Sequence, residues 1–211
     1  DKSSIVFLNY RDSVERTALF LKENGFTVSW FHGGLEQRER EAALYRFSNG
    51  SAPILVSTDL ASRGLDIPDV DNIIHYHFPE TEDSYVHRVG RTARWDKEGR
   101  TFFILGPEEH LPEYVTNEHE EYQIPAFLPK PAQPRMATIY IGKGKKDKIS
   151  KIDIVGFLCK KGGLKSSEIG KIDVKDRFTY VAILRTKIKE IISLTKGEKI
   201  KGIRTVVEEV R

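Results

Sequence analysis

The sequence predicts an α/β protein in two parts: a parallel sheet with helices on both faces, then a smaller α+β domain of order β-α-β-β-α-β. Three observations predict it. Short apolar, β-branched runs alternate with amphipathic helical patterns up to residue 106, and strands joined by helices run parallel with both faces covered. A break, QIPAFLPKPAQPRM, fills residues 123–136 and holds four of the nine prolines, so neither a helix nor a central strand can run through it. Charge inverts across that break. Residues 1–121 carry 13 Lys and Arg against 22 Asp and Glu, net −9, whereas residues 122–211 carry 21 against 9, net +12. The overall +3 thus conceals two domains with different tasks, and the basic one suits a polyanion, nucleic acid foremost. The expected division is 1–121, an extended linker at 122–136, and 137–211.

In the first part, SSIVFLN (3–9) reads as a buried strand and RDSVERTALFLKENG (11–25) as an amphipathic helix stopped by Gly25. FTVSWFH (26–32) is a second strand, and LEQREREAALYRFSNG (35–50) a second helix with a glycine stop. PILVST (53–58), NIIHYHF (72–78) and TFFILG (101–106) complete the strands. In the second part, ATIYIG (137–142) is a strand, KISKIDIVGFLCKKGG (148–163) contains a helix, and EIGKIDVKD with RFTYVAIL (168–184) makes a strand pair. TKIKEIISLTKG (186–197) is a helix and GIRTVVEEV (202–210) closes the sheet. That order is shared by RNA-recognition modules.

Composition, 39% hydrophobic and 31% charged, is that of a globular protein and excludes collagen-like and wholly disordered chains. No run of ~18 apolar residues is present, so no membrane partner is expected. No basic-then-apolar leader opens the chain. The single cysteine, Cys159, can form no internal disulfide and has no metal-site spacing, so no metal is expected and a reducing, cytoplasmic location is.

In open parallel sheets ligands collect at the carboxyl ends of the strands, and three loop segments there carry chemistry. HGGLEQRER (32–40) joins a glycine turn, Gly33 included, to a helix on which Gln37 and Arg40 share a face. STDLASRGLDIP (57–68) offers Thr58 and Asp59 as a cap directly after a strand, and Gly64 permits a turn that brings Asp66 to the strand ends, where a carboxylate suits a ribose hydroxyl. YVHRVGRTAR (85–94) is expected as a helix capped by Thr81. Arg88, Arg91 and Arg94 then recur every three residues on roughly one face, with His87 beside them. Guanidinium forks fit phosphate oxygens, and one reaching a γ-phosphate stabilises the charge of transfer.

Taken in order, these segments resemble the C-terminal RecA-like domain of DEAD-box RNA helicases over about residues 2–120: IVFLNYR as motif IV, HGGLEQRER as the glycine turn and QxxR element, STDLASRGLD as motif V, HRVGRTAR as motif VI. Ala93 stands where the family usually has glycine, which leaves the basic positions intact. The resemblance implies arginine fingers at Arg91 and Arg94, ATP-binding roles for Asp66 and Gly64, and an interdomain network of His87, Arg88 and Arg63. It places Gly33, Gln37, Arg40, Thr58 and Asp59 near the RNA backbone.

The last 75 residues, through IYIGKGKKDKI, GLKSSEIGKIDV, FTYVAI and KIKGIR, resemble the RNA-binding tail of DbpA/YxiN-type bacterial helicases, a variant of the RNA-recognition motif (RRM-like). The resemblance implies 23S ribosomal RNA as the target and a role in ribosome biogenesis. Alternation places Tyr140, Phe178 and Tyr180 on one sheet face as a potential stacking platform, although Ile183 stands where a third aromatic is expected. The stronger expectation is the GKGKKDK turn: Lys143, Lys145, Lys146 and Lys148 on a flexible glycine loop, with Lys151 opening the next helix.

The chain has no GxxxxGK[ST] loop, no D-E-A-D tetrapeptide and no Q motif, and it begins almost directly on a strand. The expectation is a piece of a longer protein whose N-terminal RecA-like domain holds most of the ATP and Mg²⁺. Alone, the piece should bind RNA without hydrolysing ATP or holding a cofactor. Its expected partners are RNA and that N-terminal domain, not DNA. A second reading is a non-enzymatic RNA-binding adaptor with a vestigial RecA-like domain.

Overall fold

The protein is described by a computed structural model covering residues 2–59, 67, 69–92, 99–116 and 118–211. Among these residues the chain divides into two compact units, one of residues 1–44 and 53–133, the other of residues 45–52 and 134–211.

Before the proline-rich segment the elements are β1 (Ser4–Leu8), α1 (Arg11–Glu23), β2 (Val28–Phe31), α2 (Gln37–Ser48), β3 (Ile54–Thr58), β4 (Asn72–His75), α3 (Glu82–Val89) and β5 (Arg100–Phe103); all belong to the first unit except the end of α2 from Tyr45 on. The five strands form one parallel sheet in the order β2-β3-β1-β4-β5. β1 lies at the centre, with Ile5, Phe7 and Leu8 at 0% exposure, as a strand covered on both faces must. On one face Val14 and Ala18, one helical turn apart, lay α1 against Val6, Leu8, Val28 and Val56. α1 ends where Gly25 takes φ 88°, a left-handed conformation that glycine adopts without a Cβ clash, and Phe26 N–H bonds back to Leu21 O at 3.0 Å. The proline-rich segment is not wholly a free spacer. Gln133 accepts from Thr27 Oγ1 at 3.3 Å and donates to Gly25 O at 3.1 Å.

The second unit contains β6 (Met136–Ile141), α4 (Lys151–Lys160), β7 (Ile169–Val174), β8 (Thr179–Leu184), α5 (Ile188–Leu194), a short ribbon of β9 (Lys199–Ile200) and β10 (Ile203–Arg204), and β11 (Val207–Val210). Its antiparallel sheet runs β11-β6-β8-β7. Ile139, Ile141, Val181 and Ile183 point into one core with Ile154, Phe157, Leu158 and Ile191 of the helices, and on the opposite face Thr138, Tyr180 and Ala182 are buried too, so the two central strands are covered on both faces. The single closing strand expected over 202–210 is instead the β9–β10 ribbon plus β11. Lys201 and Gly202 both take positive φ, the turn chemistry of a two-residue hairpin, so the apolar run folds back before it pairs with β6.

Candidate nucleic-acid interface

The carboxyl ends of β1, β3 and β4 meet at a cleft of about 320 Å³, lined by Asn9, Arg11, Gly33, Thr58, Asp59, Glu80 and Ser84. Parallel strands deliver these residues together because each strand hands its next residue to the same edge of the sheet. Gly33 follows β2, Asp59 follows β3 and Asn9 follows β1. The glycine turn is held by His32, whose Nδ1 accepts from Gly34 N at 3.1 Å while Nε2 meets Glu15 Oε1 at 2.7 Å. α3 faces the cleft with an N-cap: Thr81 Oγ1 accepts from Ser84 N at 3.1 Å, and Glu82 and Asp83 fill the first turn.

Behind the cleft Arg88 is fully buried, at 0% exposure. Its guanidinium donates through Nε to Asp59 Oδ1 at 2.5 Å and through Nη2 to Asp59 Oδ2 at 2.7 Å and Asn9 Oδ1 at 2.8 Å. Through Nη1 it donates to His77 O at 2.7 Å and meets His75 Nδ1 at 3.2 Å. Five N–H groups find five acceptors, which a buried guanidinium requires. Desolvation, and then Arg88 itself, push His75 down to about 3, so it stays neutral and can accept. His77 is also lowered, again by desolvation first and Arg88 second. Its Nδ1 accepts from Asn9 N at 3.0 Å.

Here the structure departs from the sequence in two ways. Arg88 does not face a neighbouring lobe; it is a brace inside its own domain, because Asp59, Asn9 and two β4-edge groups converge on it. Nor do the arginines continue along one helix. α3 stops at Val89, and beyond it Arg91 O accepts from Val70 N at 3.0 Å while Thr92 bridges Val70 in parallel. Arg91 is half-buried on this returning segment, and His87 is half-exposed, 3.5 Å from Asp83. Arg63, Gly64, Asp66 and Arg94 lie outside the described residues. Of the expected RNA-facing residues, Gly33, Thr58 and Asp59 line the cleft. Gln37 bonds Glu41 along α2 at 2.8 Å, and Arg40 is half-buried with its Nε unpartnered among the described residues. Asn9, Arg11, Glu80 and Ser84 complete the cleft. They stood within or beside quoted motifs, and only the strand register reveals them.

In the second unit the lysine loop is not a free turn; it is hydrogen-bonded to the turn over residues 175–178. Gly144 is buried, and a Cβ on it would stand 2.3 Å from Lys175 O and 2.7 Å from Phe178 N. That close approach lets Lys145 N and Lys146 N each bond, at 2.8 Å, to Lys175 O and Asp176 O. Thr179 Oγ1 donates to Lys143 O at 2.9 Å. Lys148 takes φ 58°, and its carbonyl accepts from Lys201 Nζ at 2.8 Å. Lys145, Lys146, Lys148 and Lys151 are exposed, whereas Lys143 is partly covered and 3.5 Å from Asp147. The loop's partner turn brings an exposed Arg177 beside it, which the sequence reading missed because the turn lies over 30 residues away. Tyr140 and Phe178 are half-buried with ring centroids 5.6 Å apart. Tyr180 differs from expectation. At 2% exposure, touching the rings of Phe178 and Tyr140, it has no open face for a base.

A parallel sheet with a polar, hydroxyl-lined cleft at its strand tips, followed by a small basic domain, fits an RNA helicase core half with an accessory RNA-binding domain. Residues 1–96 match the helicase conserved C-terminal domain, and residues 138–209 match the DbpA RNA binding domain. The chain is 35% identical to the ATP-dependent RNA helicase DbpA of Escherichia coli and 30% identical to that of Bacillus subtilis, in each case over 95% of this chain. It covers 45% and 48% of those proteins, so it spans about half the length of the curated relatives it matches. Among solved structures, a DEAD-box protein from Methanococcus jannaschii aligns with half of the chain (50%) and 29% of its own, at 35% identity and TM-score 0.48. The chain belongs to the DEAD-box RNA helicases of the DbpA type and carries their C-terminal half.

Proposed function

We propose that in the whole protein this chain completes an ATP-dependent RNA helicase. Its first unit supplies RNA-backbone contacts and arginine fingers, and its second tethers the enzyme to structured RNA, 23S ribosomal RNA in ribosome assembly. The strand-tip cleft carries this reading. Arg88 neutralises the Asp59 carboxylate at its base, which leaves Arg11, the Gly33 main chain and the Thr58 and Ser84 hydroxyls to meet a sugar-phosphate backbone, with Glu80 as the one remaining acid among the described lining residues. Such groups position a strand without reading its bases. ATP with Mg²⁺, when bound across the two core domains, supplies the phosphoryl chemistry. The part of this chain is to place a guanidinium, Arg91, where charge develops. The exposed Lys145, Lys146 and Arg177 give the tail phosphate affinity, and tethering raises the effective concentration of nearby duplexes. A cytoplasmic location belongs to the same reading.

The test uses the full-length protein. Arg91→Ala should lower RNA-stimulated ATP hydrolysis on the order of 10³-fold and leave binding to a 23S ribosomal RNA fragment unchanged at fixed salt. Equal loss of both would refute the division of labour. Equal affinity for an unrelated structured RNA would remove 23S ribosomal RNA as the target.

A further inference from the structure

β5 is the last strand of its sheet, and among the described residues it pairs with β4 alone. Its other side opens on a groove of about 750 Å³. The floor is Thr101–Leu105, and Leu111, Tyr122 and Ile124 form the apolar wall. Ile104, Leu105, Tyr122 and Ile124 are 49%, 45%, 60% and 74% exposed. Four large apolar side chains left to water along an open strand edge are a liability that proteins ordinarily cover. None of these residues lines the strand-tip cleft, so the proposed helicase function does not use them.

Charge selects the occupant. Glu109, Glu120 and Glu121 rim the groove, and residues 106–124 contain six Glu and no Lys or Arg. An RNA phosphate chain is repelled there, and an acidic or neutral peptide gains nothing from the rim. An extended segment can add to the free edge of β5 by main-chain hydrogen bonds, its alternate side chains facing the apolar floor and the acidic rim in turn.

We propose that the β5 groove is a docking site for an extended peptide segment of a partner protein, with apolar and Lys or Arg residues in alternation. The probe is a fluorescent nonapeptide of alternating Val and Lys, titrated against the 211-residue chain by anisotropy, with a Val/Glu nonapeptide and an RNA oligonucleotide as controls. The Val/Lys peptide should bind, and the double variant Glu120→Lys/Glu121→Lys should weaken it by roughly tenfold. Ile104→Asp should weaken it by a similar factor. Amide NMR shifts in the wild-type chain should concentrate on residues 101–105 and 119–124. Unchanged affinity in both variants, equal binding of the Val/Glu peptide, shifts confined elsewhere, or shifts on residues 101–105 induced by the RNA oligonucleotide alone would each overturn the proposal. Ile104, Glu120 and Glu121 are exposed, so these variants should fold, and amide dispersion in the same spectra checks it.

Discussion

Arg88 in the first unit and Lys145 in the second carry the same formal charge and meet opposite fates. Arg88 is sealed from water and bound by Asp59, Asn9, His75 and the His77 carbonyl. Lys145 is held by its main chain while its ammonium stays in solvent. In the strand-tip cleft, therefore, a cation orders the protein and other groups are left to meet the ligand. In the lysine loop the backbone orders the protein and the cations are left to meet the ligand. A buried charge is worth much to the fold because its removal strands a partner; an exposed one is worth little to the fold and is screened by salt.

The largest test of that contrast is Arg88→Ala. It removes the guanidinium on which Asp59, Asn9, His75 and the His77 carbonyl converge; Asp59 itself is partly open to the cleft, so the cost should be about 2–4 kcal/mol of stability, read by urea unfolding of the first unit. A loss below 1 kcal/mol would mean that Arg88 is no brace. Gly144→Ala should come next. The new Cβ cannot share space with Lys175 O, so the loop must leave its partner turn, at about 1–3 kcal/mol and with weaker RNA binding. If affinity survives, the ordered loop is not what presents the lysines. Third is acid. His75 is depressed to about 3 from an ordinary value of 6.5, so the unfolded chain takes up a proton that the folded one refuses. The contribution is whole above pH 6.5 and falls away toward pH 3, by about 1.4 kcal/mol per unit. His75→Gln should flatten that slope in denaturation measured across pH. The smallest effect is on the exposed side: Lys145→Ala/Lys146→Ala should leave stability within about 0.5 kcal/mol. It should also reduce the slope of log affinity against log salt by about 1.4 for single-stranded RNA, and an unchanged slope would remove both lysines from the interface.

Much of this was legible in the residues. The alternation of apolar runs with helical patterns determined the parallel sheet, since strands in series with helices have few other ways to bury their faces. Thr81 as a cap, Gly25 as a stop, and Ile139 and Ile141 facing the core all follow from local chemistry. What local chemistry could not settle was which polar groups face one another. Arg88 is expected on one face with Arg91 and Arg94 and in an interdomain network with His87 and Arg63; only the convergence of β1, β3 and β4 around it makes it a brace. Tyr180 looked like a platform member, and the rings of Tyr45, Phe178 and Tyr140 around it bury it. The GKGKKDK turn reads as a flexible loop, yet contact of Gly144 with a turn about thirty residues away clamps it. Periodicity is a property of neighbours along the chain, so the sequence by itself determined the elements and their faces. Burial and hydrogen bonding are properties of neighbours in space, so only the tertiary structure decided which of the charges serve the fold and which are left for RNA.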